Sequence, residues 1–197
     1  MNGRSDDDPQ RDALPENLFL VGLMGAGKTS VGRTLAKRLH KTFYDTDREI
    51  ERATGVKIPV IFEIEGESGF RVREAKILAE LVRRTNVVVA TGGGAVLAEQ
   101  NRQLLTDHGM VIYLRAAAPE LYQRTRHDKN RPLLQTDDRL KMLQELFVQR
   151  DPLYSEIADV IIDTGSQSVG NLAHQLERRL AQFKRGSGRA NRGLSAG

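Results

Sequence analysis

The stretch Leu18–Thr29, LFLVGLMGAGKT, decides the fold class of this chain. Its first four residues are apolar and predict a buried strand, and Val31, Leu35 and Leu39 then recur at helical spacing. The residues between strand and helix, Gly22–Thr29, match the pattern G-x-x-x-x-G-K-[ST] at every position. Because this pattern stands between a strand and a helix, we predict a phosphate-binding loop.

The residue types of this loop suit the binding of a nucleotide. Glycines let backbone N–H groups turn towards phosphate oxygens, and the N-terminus of the following helix adds partial positive charge. Lys28 can reach the β- and γ-phosphates, and the Thr29 hydroxyl can coordinate Mg²⁺ directly. We therefore predict Mg²⁺ as the cofactor.

Beyond the loop, four more short strands alternate with segments of helical periodicity. The strands are predicted at residues 42–44, 87–90, 110–114 and 160–162, and one helical stretch covers roughly 46–84. Strands that are apolar throughout are typical of a parallel sheet that is buried on both faces. The pattern predicts an α/β fold, a three-layer α/β/α sandwich around a five-stranded parallel sheet, with ligands beyond the C-terminal ends of the strands.

The composition suits one domain and excludes several kinds of site. The chain has 197 residues, and the predicted elements fall within 17–183, whereas 1–16 and 184–197 lack an apolar period and are predicted to be disordered tails. The absence of Cys excludes a disulfide scaffold, a cysteine-based zinc site and a thiol nucleophile. The sequence shows neither a run approaching the ~20 apolar residues of a membrane span nor a secretory signal, so we expect a cytoplasmic protein.

The positive charge of the chain raises the alternative of a nucleic acid partner. The net charge is +4 and the pI is about 9.5. Much of this charge lies in the basic C-terminal tail, with Lys184, Arg185, Arg189 and Arg192, while the first 16 residues are acidic. A small anionic ligand explains the mildly positive body as well as a polyanion does, so we expect no nucleic acid partner. We also expect a monomer without a membrane partner.

Two carboxylates follow the second predicted strand, at Asp45 and Asp47. Close to a phosphate-binding loop, such a pair can serve Mg²⁺ and an acceptor hydroxyl separately. An Asp at a strand end can also cap the helix that follows, and the two uses are compatible.

Two further patterns have both a structural and a functional interpretation. Arg71 and Glu74 lie three residues apart in the helical stretch and could form a surface ion pair. The run Gly92–Gly94 follows a buried strand, where it is either a flexible turn or a place at which the backbone closely approaches a ligand.

Arginines are concentrated in the second half of the chain. Residues 124–137 begin with a basic cluster that includes Arg131, and such a loop can act as a lid that closes over a nucleotide. Arg150 is predicted at the end of the helix that carries Leu143 and Phe147. Its planar guanidinium group is suited to binding a carboxylate through two hydrogen bonds.

Together, these pieces resemble the shikimate kinase family. The six motifs that carry the resemblance stand in the family's order across residues 17–183, at 22–29, 45–47, 66–74, 92–94, 131–134 and 150–154. The phosphate-binding loop occurs in many unrelated enzymes, so the later five motifs make the match specific. The resemblance implies a kinase with a lid that transfers the γ-phosphoryl group of ATP to the 3-hydroxyl of shikimate, in aromatic amino-acid biosynthesis.

The resemblance also implies a role for each matching residue of the substrate site. Asp47 would hold the shikimate hydroxyls, Arg71 and Arg150 would bind its carboxylate, and Gly93 would offer a backbone contact to the ring. Arg131 would be the lid arginine that contacts ATP. The catalytic residues would be Lys28, Asp47 and Arg131.

On the nucleotide side, the resemblance implies that Asp45 acts on Mg²⁺ through a water molecule. Gln167, after the fifth strand, is the candidate for an adenine contact. The residues expected to bind ATP are therefore Gly25, Ala26, Gly27, Lys28, Thr29, Ser30, Arg131 and Gln167. Two alternatives stay open: a gluconate-kinase-like enzyme with the same loop and fold, and a nucleotide-dependent protein that binds nucleic acid through the basic tail.

Overall fold

The computed structural model describes residues 15–128 and 132–183 of the chain. Most of both predicted tails lies outside these ranges, so their disorder stays a prediction. Five strands and seven α-helices alternate along the part that is described. In chain order they are β1 (Leu18–Val21), α1 (Lys28–Arg38), β2 (Thr42–Asp45), α2 (Thr46–Thr54), α3 (Ile58–Leu81), β3 (Val87–Ala90), α4 (Glu99–His108), β4 (Met110–Arg115), α5 (Ala118–Thr125), α6 (Arg139–Ile157), β5 (Val160–Asp163) and α7 (Val169–Phe183).

The five strands form one parallel sheet in the order β2-β3-β1-β4-β5. The β1 and β3 residues and all of β4 except its last residue are almost completely buried, as expected for a sheet with helices on both faces. Helices α1 and α7 pack against each other, and α4 packs against α3, α6 and β4. The predicted α/β/α sandwich is therefore confirmed. Because β2, β3 and β1 are parallel neighbours, the loops that follow them lie side by side at the C-terminal ends of the strands.

The predicted helical stretch over 46–84 is two helices. A turn through Gly55 separates α2 from α3. Within α3, Gly66 has φ 68° and ψ −176°, so the helix is interrupted there. A residue without a Cβ adopts this left-handed φ at little cost, which explains why the interruption falls at a glycine. Helical periodicity on either side conceals such a break in the sequence.

The predicted position of Arg150 at the end of its helix is wrong. Helix α6 continues through Pro152 to Ile157, so Arg150 lies well inside it and is only 3% exposed. A proline removes one backbone hydrogen bond and normally ends or kinks a helix. Here Tyr154 and Ile157 are buried in the main hydrophobic core, and their packing holds the last turns in place despite the proline.

A small second core joins α2 to α3. It consists of Ile50, Ile61 and Phe70, and the rings of Phe62 and Phe70 lie 4.8 Å apart between centroids. This packing fixes the part of α3 that carries Arg71. Within the described ranges, no helix is both long and apolar enough to cross a lipid bilayer.

Candidate active site

The phosphate-binding loop lies between β1 and α1, as predicted. Gly27 caps α1 with φ 94°, a left-handed conformation that favours glycine. Lys28 is 8% exposed, and its ammonium group donates hydrogen bonds to the backbone oxygens of Gly22, at 2.6 Å, and of Leu23, at 2.9 Å. The side chain thus folds back along the loop, and its charge is held against the loop carbonyls. Thr29 and Ser30 follow in the first turn of α1.

Asp45 contacts both the loop and the start of α2. The Thr29 hydroxyl donates a hydrogen bond of 2.6 Å to its Oδ2, while its Oδ1 accepts the backbone N–H of Arg48 as the cap of α2. The predicted capping therefore occurs together with the contact to Thr29. Among the residues that the structure describes, no three His, Cys, Asp or Glu side chains form a metal cluster. A hydroxyl and one carboxylate are hard oxygen donors, which suit Mg²⁺ when nucleotide phosphates and water supply the other ligands.

A pocket opens beside this loop at the same edge of the sheet. It brings together four of the residues that were predicted to bind the substrate: Asp47, Arg71, Gly93 and Arg150. Its other lining residues are the charged Glu74, the neighbouring glycines 92 and 94, and the apolar Met24, Ile58, Phe62, Phe70, Pro132 and Leu133. Two carboxylates and two guanidinium groups thus line a pocket whose remaining wall is glycine backbone and apolar side chains.

Arg71 is held by two carboxylates of its own helix. Its Nη1 lies 2.6 Å from Oε2 of Glu74 and its Nη2 lies 2.7 Å from Oε1 of Glu67. The pair with Glu74 forms as predicted, but it is not on the surface, because Glu74 is only 1% exposed. Burial raises the pKa of Glu74, and the charges of Arg71 and Arg150 oppose that rise. The ion pair is therefore part of the pocket wall.

The three glycines after β3 leave space for charged side chains. A Cβ on Gly92 would collide with the Glu74 carboxylate, and a Cβ on Gly94 would collide with the Arg71 guanidinium group. The sequence left open a flexible turn or a close approach to a ligand; in the structure, the groups that lie closest to Gly92 and Gly94 are the charged side chains of Glu74 and Arg71. A side chain at either position would displace the groups that form the pocket wall.

Arg150 presents hydrogen-bond donors inside the protein. It is nearly fully buried, and among the described residues its Nε and Nη1 atoms have no hydrogen-bond partner. Buried guanidinium N–H groups are costly unless an acceptor meets them. The same side chain lines the pocket, so its positive charge lies at the pocket wall.

Two hydroxyl residues at the site were not singled out from the sequence. Thr46 accepts the backbone N–H of Gly92 at 2.8 Å, and the Tyr154 hydroxyl donates to the Gly93 carbonyl. Both stand inside motifs that were noted for their charged members, Asp45 to Asp47 and Arg150 to Tyr154. The motif spacing was the available signal, but their contacts depend on the tertiary structure.

A further arginine contacts the phosphate-binding loop. Arg124 lies in the last turn of α5, not in a loop, and donates to the Gly25 carbonyl at 3.3 Å, to the Thr164 hydroxyl at 3.1 Å and to the Gly165 carbonyl. It thereby joins the phosphate-binding loop to the loop after β5, where Gln167 donates to the Asp163 carbonyl. The predicted lid arginine, Arg131, lies outside the described residues.

Comparison with known proteins identifies the family. The family model described as shikimate kinase matches residues 24–181. The shikimate kinase of Nitrosococcus oceani is 60% identical over 171 residues, which cover 87% of this chain and 90% of that protein. A structure of the shikimate kinase from Acinetobacter baumannii in complex with shikimate has a TM-score of 0.85 and 48% sequence identity, and the match covers 86% of this chain and 94% of that one.

A gluconokinase from Sinorhizobium meliloti also has a similar structure. Its TM-score is 0.55 and its sequence identity 18%, over 87% of this chain and 95% of that one. At this identity the likeness shows a common fold and does not extend to the substrate. The family model and the relatives at high identity confirm the family that the motifs predict. The chain belongs to the shikimate kinase family.

Proposed function

We propose that this chain transfers the γ-phosphoryl group of ATP to the 3-hydroxyl of shikimate, giving shikimate 3-phosphate and ADP. Its family makes it an ATP-dependent kinase. The observation that carries the choice of substrate is the pocket beside the phosphate-binding loop, where Asp47, Arg71 and Arg150 meet the glycine backbone. A small polyol with one carboxylate has the complementary chemistry.

In this proposal, the substrate carboxylate binds to Arg150 and Arg71. Arg150 lines the pocket and brings a buried guanidinium group to it, so the carboxylate of a substrate supplies acceptors of the kind that a guanidinium group favours. Arg71 adds a second positive charge across the pocket, already oriented by Glu67 and Glu74. The apolar part of the lining lowers the local polarity, which strengthens both contacts.

Asp47 is the proposed partner of the acceptor hydroxyl. It lines the pocket in the first turn of α2, and its Oδ1 is buried close to Gly92. A carboxylate in this place accepts the hydrogen bond of the hydroxyl, orients its oxygen for in-line attack on phosphorus and takes its proton as transfer proceeds. Gly93 supplies a backbone contact to the ring.

The nucleotide is proposed to bind along the phosphate-binding loop, at Gly25 to Ser30. Lys28 stabilises the negative charge on the phosphoryl group in transfer, because its ammonium group is already held in the loop. Gln167 stays the candidate for an adenine contact, in the loop after β5 that Arg124 contacts. Arg131 stays the predicted cation on the γ-phosphate.

Thr29 and Asp45 are the residues proposed to hold Mg²⁺, the hydroxyl directly and the carboxylate through water. Bound Mg²⁺ would neutralise phosphate charge during transfer. Its coordination would otherwise rely on phosphate oxygens and water, as is usual for this ion. The two side chains already meet through their hydrogen bond, so the oxygen donors are in place before the nucleotide binds.

The direct test is ADP release by the purified chain with Mg-ATP and a panel of hydroxy acids. We expect release with shikimate and none with gluconate; release with gluconate alone would overturn the proposal.

We also propose that the chain acts as a cytoplasmic monomer without nucleic acid. Light scattering measures the oligomeric state, and deletion of 184–197 should leave kinase activity unchanged, whereas lost activity would give the tail a role in catalysis.

A further inference from the structure

We infer that two buried hydroxyl groups, those of Thr46 and Tyr154, act as positioning groups for substrate binding. They hold the segment Gly92–Gly94, which we call the glycine segment, in the shape that the pocket requires. The inference rests on the proposed function and deepens it. The proposed function names side chains that would touch shikimate; Thr46 and Tyr154 would instead act through the backbone of the glycine segment.

Tyr154 holds the middle of the glycine segment. Its hydroxyl donates a hydrogen bond to the Gly93 carbonyl, across 61 positions of sequence. The side chain is completely buried, and its ring lies 4.9 Å from that of Tyr113. Burial raises the pKa of the Tyr154 hydroxyl, so the group keeps its proton and remains a donor at neutral pH. A hydroxyl fixed in this way defines where the Gly93 carbonyl points.

The same tyrosine also neighbours a proposed substrate ligand. Arg150 precedes it by one turn of α6, and the charge of Arg150 and a hydrogen bond between the two side chains oppose the rise in the pKa of the hydroxyl. A Cβ on Gly93 would lie 3.8 Å from Nη1 of Arg150. The Tyr154 hydroxyl therefore stands where the glycine segment and the arginine meet.

Thr46 holds the start of the glycine segment. Its side chain is completely buried, and its hydroxyl oxygen accepts the Gly92 N–H at 2.8 Å. Thr46 is the first residue of α2 and is followed by Asp47. The hydrogen bond thus fixes the distance between the glycine segment and the helix that presents the proposed catalytic carboxylate.

These two hydrogen bonds matter because the segment consists only of glycine, which has no side chain to restrict its backbone conformation. Glycine loses more conformational freedom on ordering than any other residue. The space at Gly92 and Gly94 is filled by the charged groups of Glu74 and Arg71, so a small backbone shift would displace them. Misplacement of about 1 Å is enough to weaken a positioned site strongly.

The first experiment compares Tyr154→Phe with Tyr113→Phe in steady-state kinetics. Both substitutions remove one buried hydroxyl from neighbouring rings, but the Tyr113 hydroxyl donates to Asp151 and not to the glycine segment. We expect Tyr154→Phe to raise the KM for shikimate roughly five- to tenfold, as the loss of one hydrogen bond does, with the KM for ATP unchanged. Tyr113→Phe should leave both KM values unchanged.

The second experiment compares Thr46→Val with Thr46→Ser. Val keeps the shape of the side chain and removes the acceptor of the Gly92 N–H, whereas Ser keeps the acceptor. We expect the KM for shikimate to rise with Val and to return towards the wild-type value with Ser. A merely structural role would not produce this rescue together with an unchanged KM for ATP. If Tyr154→Phe fails to fold, this pair decides the question alone.

The outcomes separate the two proposals. If the wild-type chain does not phosphorylate shikimate, the proposed function is wrong. If it does, and Tyr154→Phe and Thr46→Val keep the wild-type KM for shikimate, the positioning inference is wrong. It is also overturned if Tyr113→Phe raises this KM as much as Tyr154→Phe, because the effect then comes from ring packing.

Discussion

The hydroxyl of Thr29 and the carboxylate of Asp45 meet at 2.6 Å, joining the first turn of α1 to the end of β2. Asp47, two residues further on, lines the substrate pocket instead. Two carboxylates that are almost adjacent in sequence therefore face different parts of the site. This separation allows their proposed roles to be tested one at a time.

Asp47→Asn should lower turnover at least ~10²-fold, because the amide keeps the shape of the side chain but cannot take the proton of the acceptor hydroxyl. Asp45→Asn should instead raise the Mg²⁺ concentration required for half the maximal rate, since Asn caps α2 as well as Asp does and only the charge is lost. Turnover measured against Mg²⁺ for both variants separates the roles. Rescue of Asp47→Asn by extra Mg²⁺, without rescue of Asp45→Asn, would reverse the assignment.

Lys28→Ala should nearly abolish turnover and leave the fold intact. The ammonium group is held by two loop carbonyls at the proposed phosphate site, and the loss of such a donor costs about 3–4 kcal/mol in the transition state. Circular dichroism checks the fold, and Lys37→Ala, on the exposed side of the same helix, is the matched control. Normal turnover in Lys28→Ala would exclude the residue from the mechanism.

Arg71→Lys and Arg150→Lys should each raise the dissociation constant of shikimate roughly ten- to hundredfold while that of ATP stays unchanged. Lysine keeps the charge but loses the planar pair of donors, and a charge-assisted hydrogen bond contributes about 1.5–3 kcal/mol. Calorimetry with each ligand measures both constants. Arg73→Lys is the control, since Arg73 lies on the same helix and pairs with Glu65 instead. An equal loss of ATP affinity would assign the two arginines to the nucleotide.

Gly94→Ala should weaken shikimate binding, because the added methyl group would collide with the Arg71 guanidinium group. If Arg71 is displaced from its proposed contact with the carboxylate, the lost charge-assisted hydrogen bond costs about 1.5–3 kcal/mol, which is roughly ten- to hundredfold in Kd. Gly170→Ala is the matched control, since a Cβ on Gly170 meets no atom within 4 Å. Calorimetric titration with shikimate measures the change, and equal affinities of the two variants would show that Arg71 moves away without loss.

Glu74→Gln should change how stability depends on pH. Burial raises the pKa of Glu74 above its ordinary value of 4.5, so the folded state holds this proton more tightly than the unfolded state does. The wild-type protein should therefore lose unfolding free energy relative to the variant as pH rises from about 4.5 through the raised pKa. Urea unfolding of both proteins at several pH values measures the difference. A relative gain by the wild type would mean that Arg71 lowers the pKa of Glu74 overall.

The order of strands and helices and the phosphate-binding loop could be predicted from the sequence because they depend on local patterns. The apolar run of β1, the loop Gly22–Thr29 and the helical period of α1 follow one another along the chain. No distant residue is needed to recognise them. The breaks at Gly55 and Gly66 were missed because helical periodicity persists on both sides of each glycine. The helix end that was predicted near Arg150 was wrong, because the packing of Tyr154 and Ile157 outweighs the local effect of Pro152.

The sequence by itself determined which residue types the site contains and roughly where the chain supplies them. Tertiary structure alone decided what they contact: Glu74 is buried instead of exposed, and Thr46 and Tyr154 hold Gly92 and Gly93. The physical reason is that burial and hydrogen-bond partners depend on elements distant in sequence. The spacing of two residues on one helix face is the same whether the face is exposed or buried, and only the packing around α3 buries Glu74.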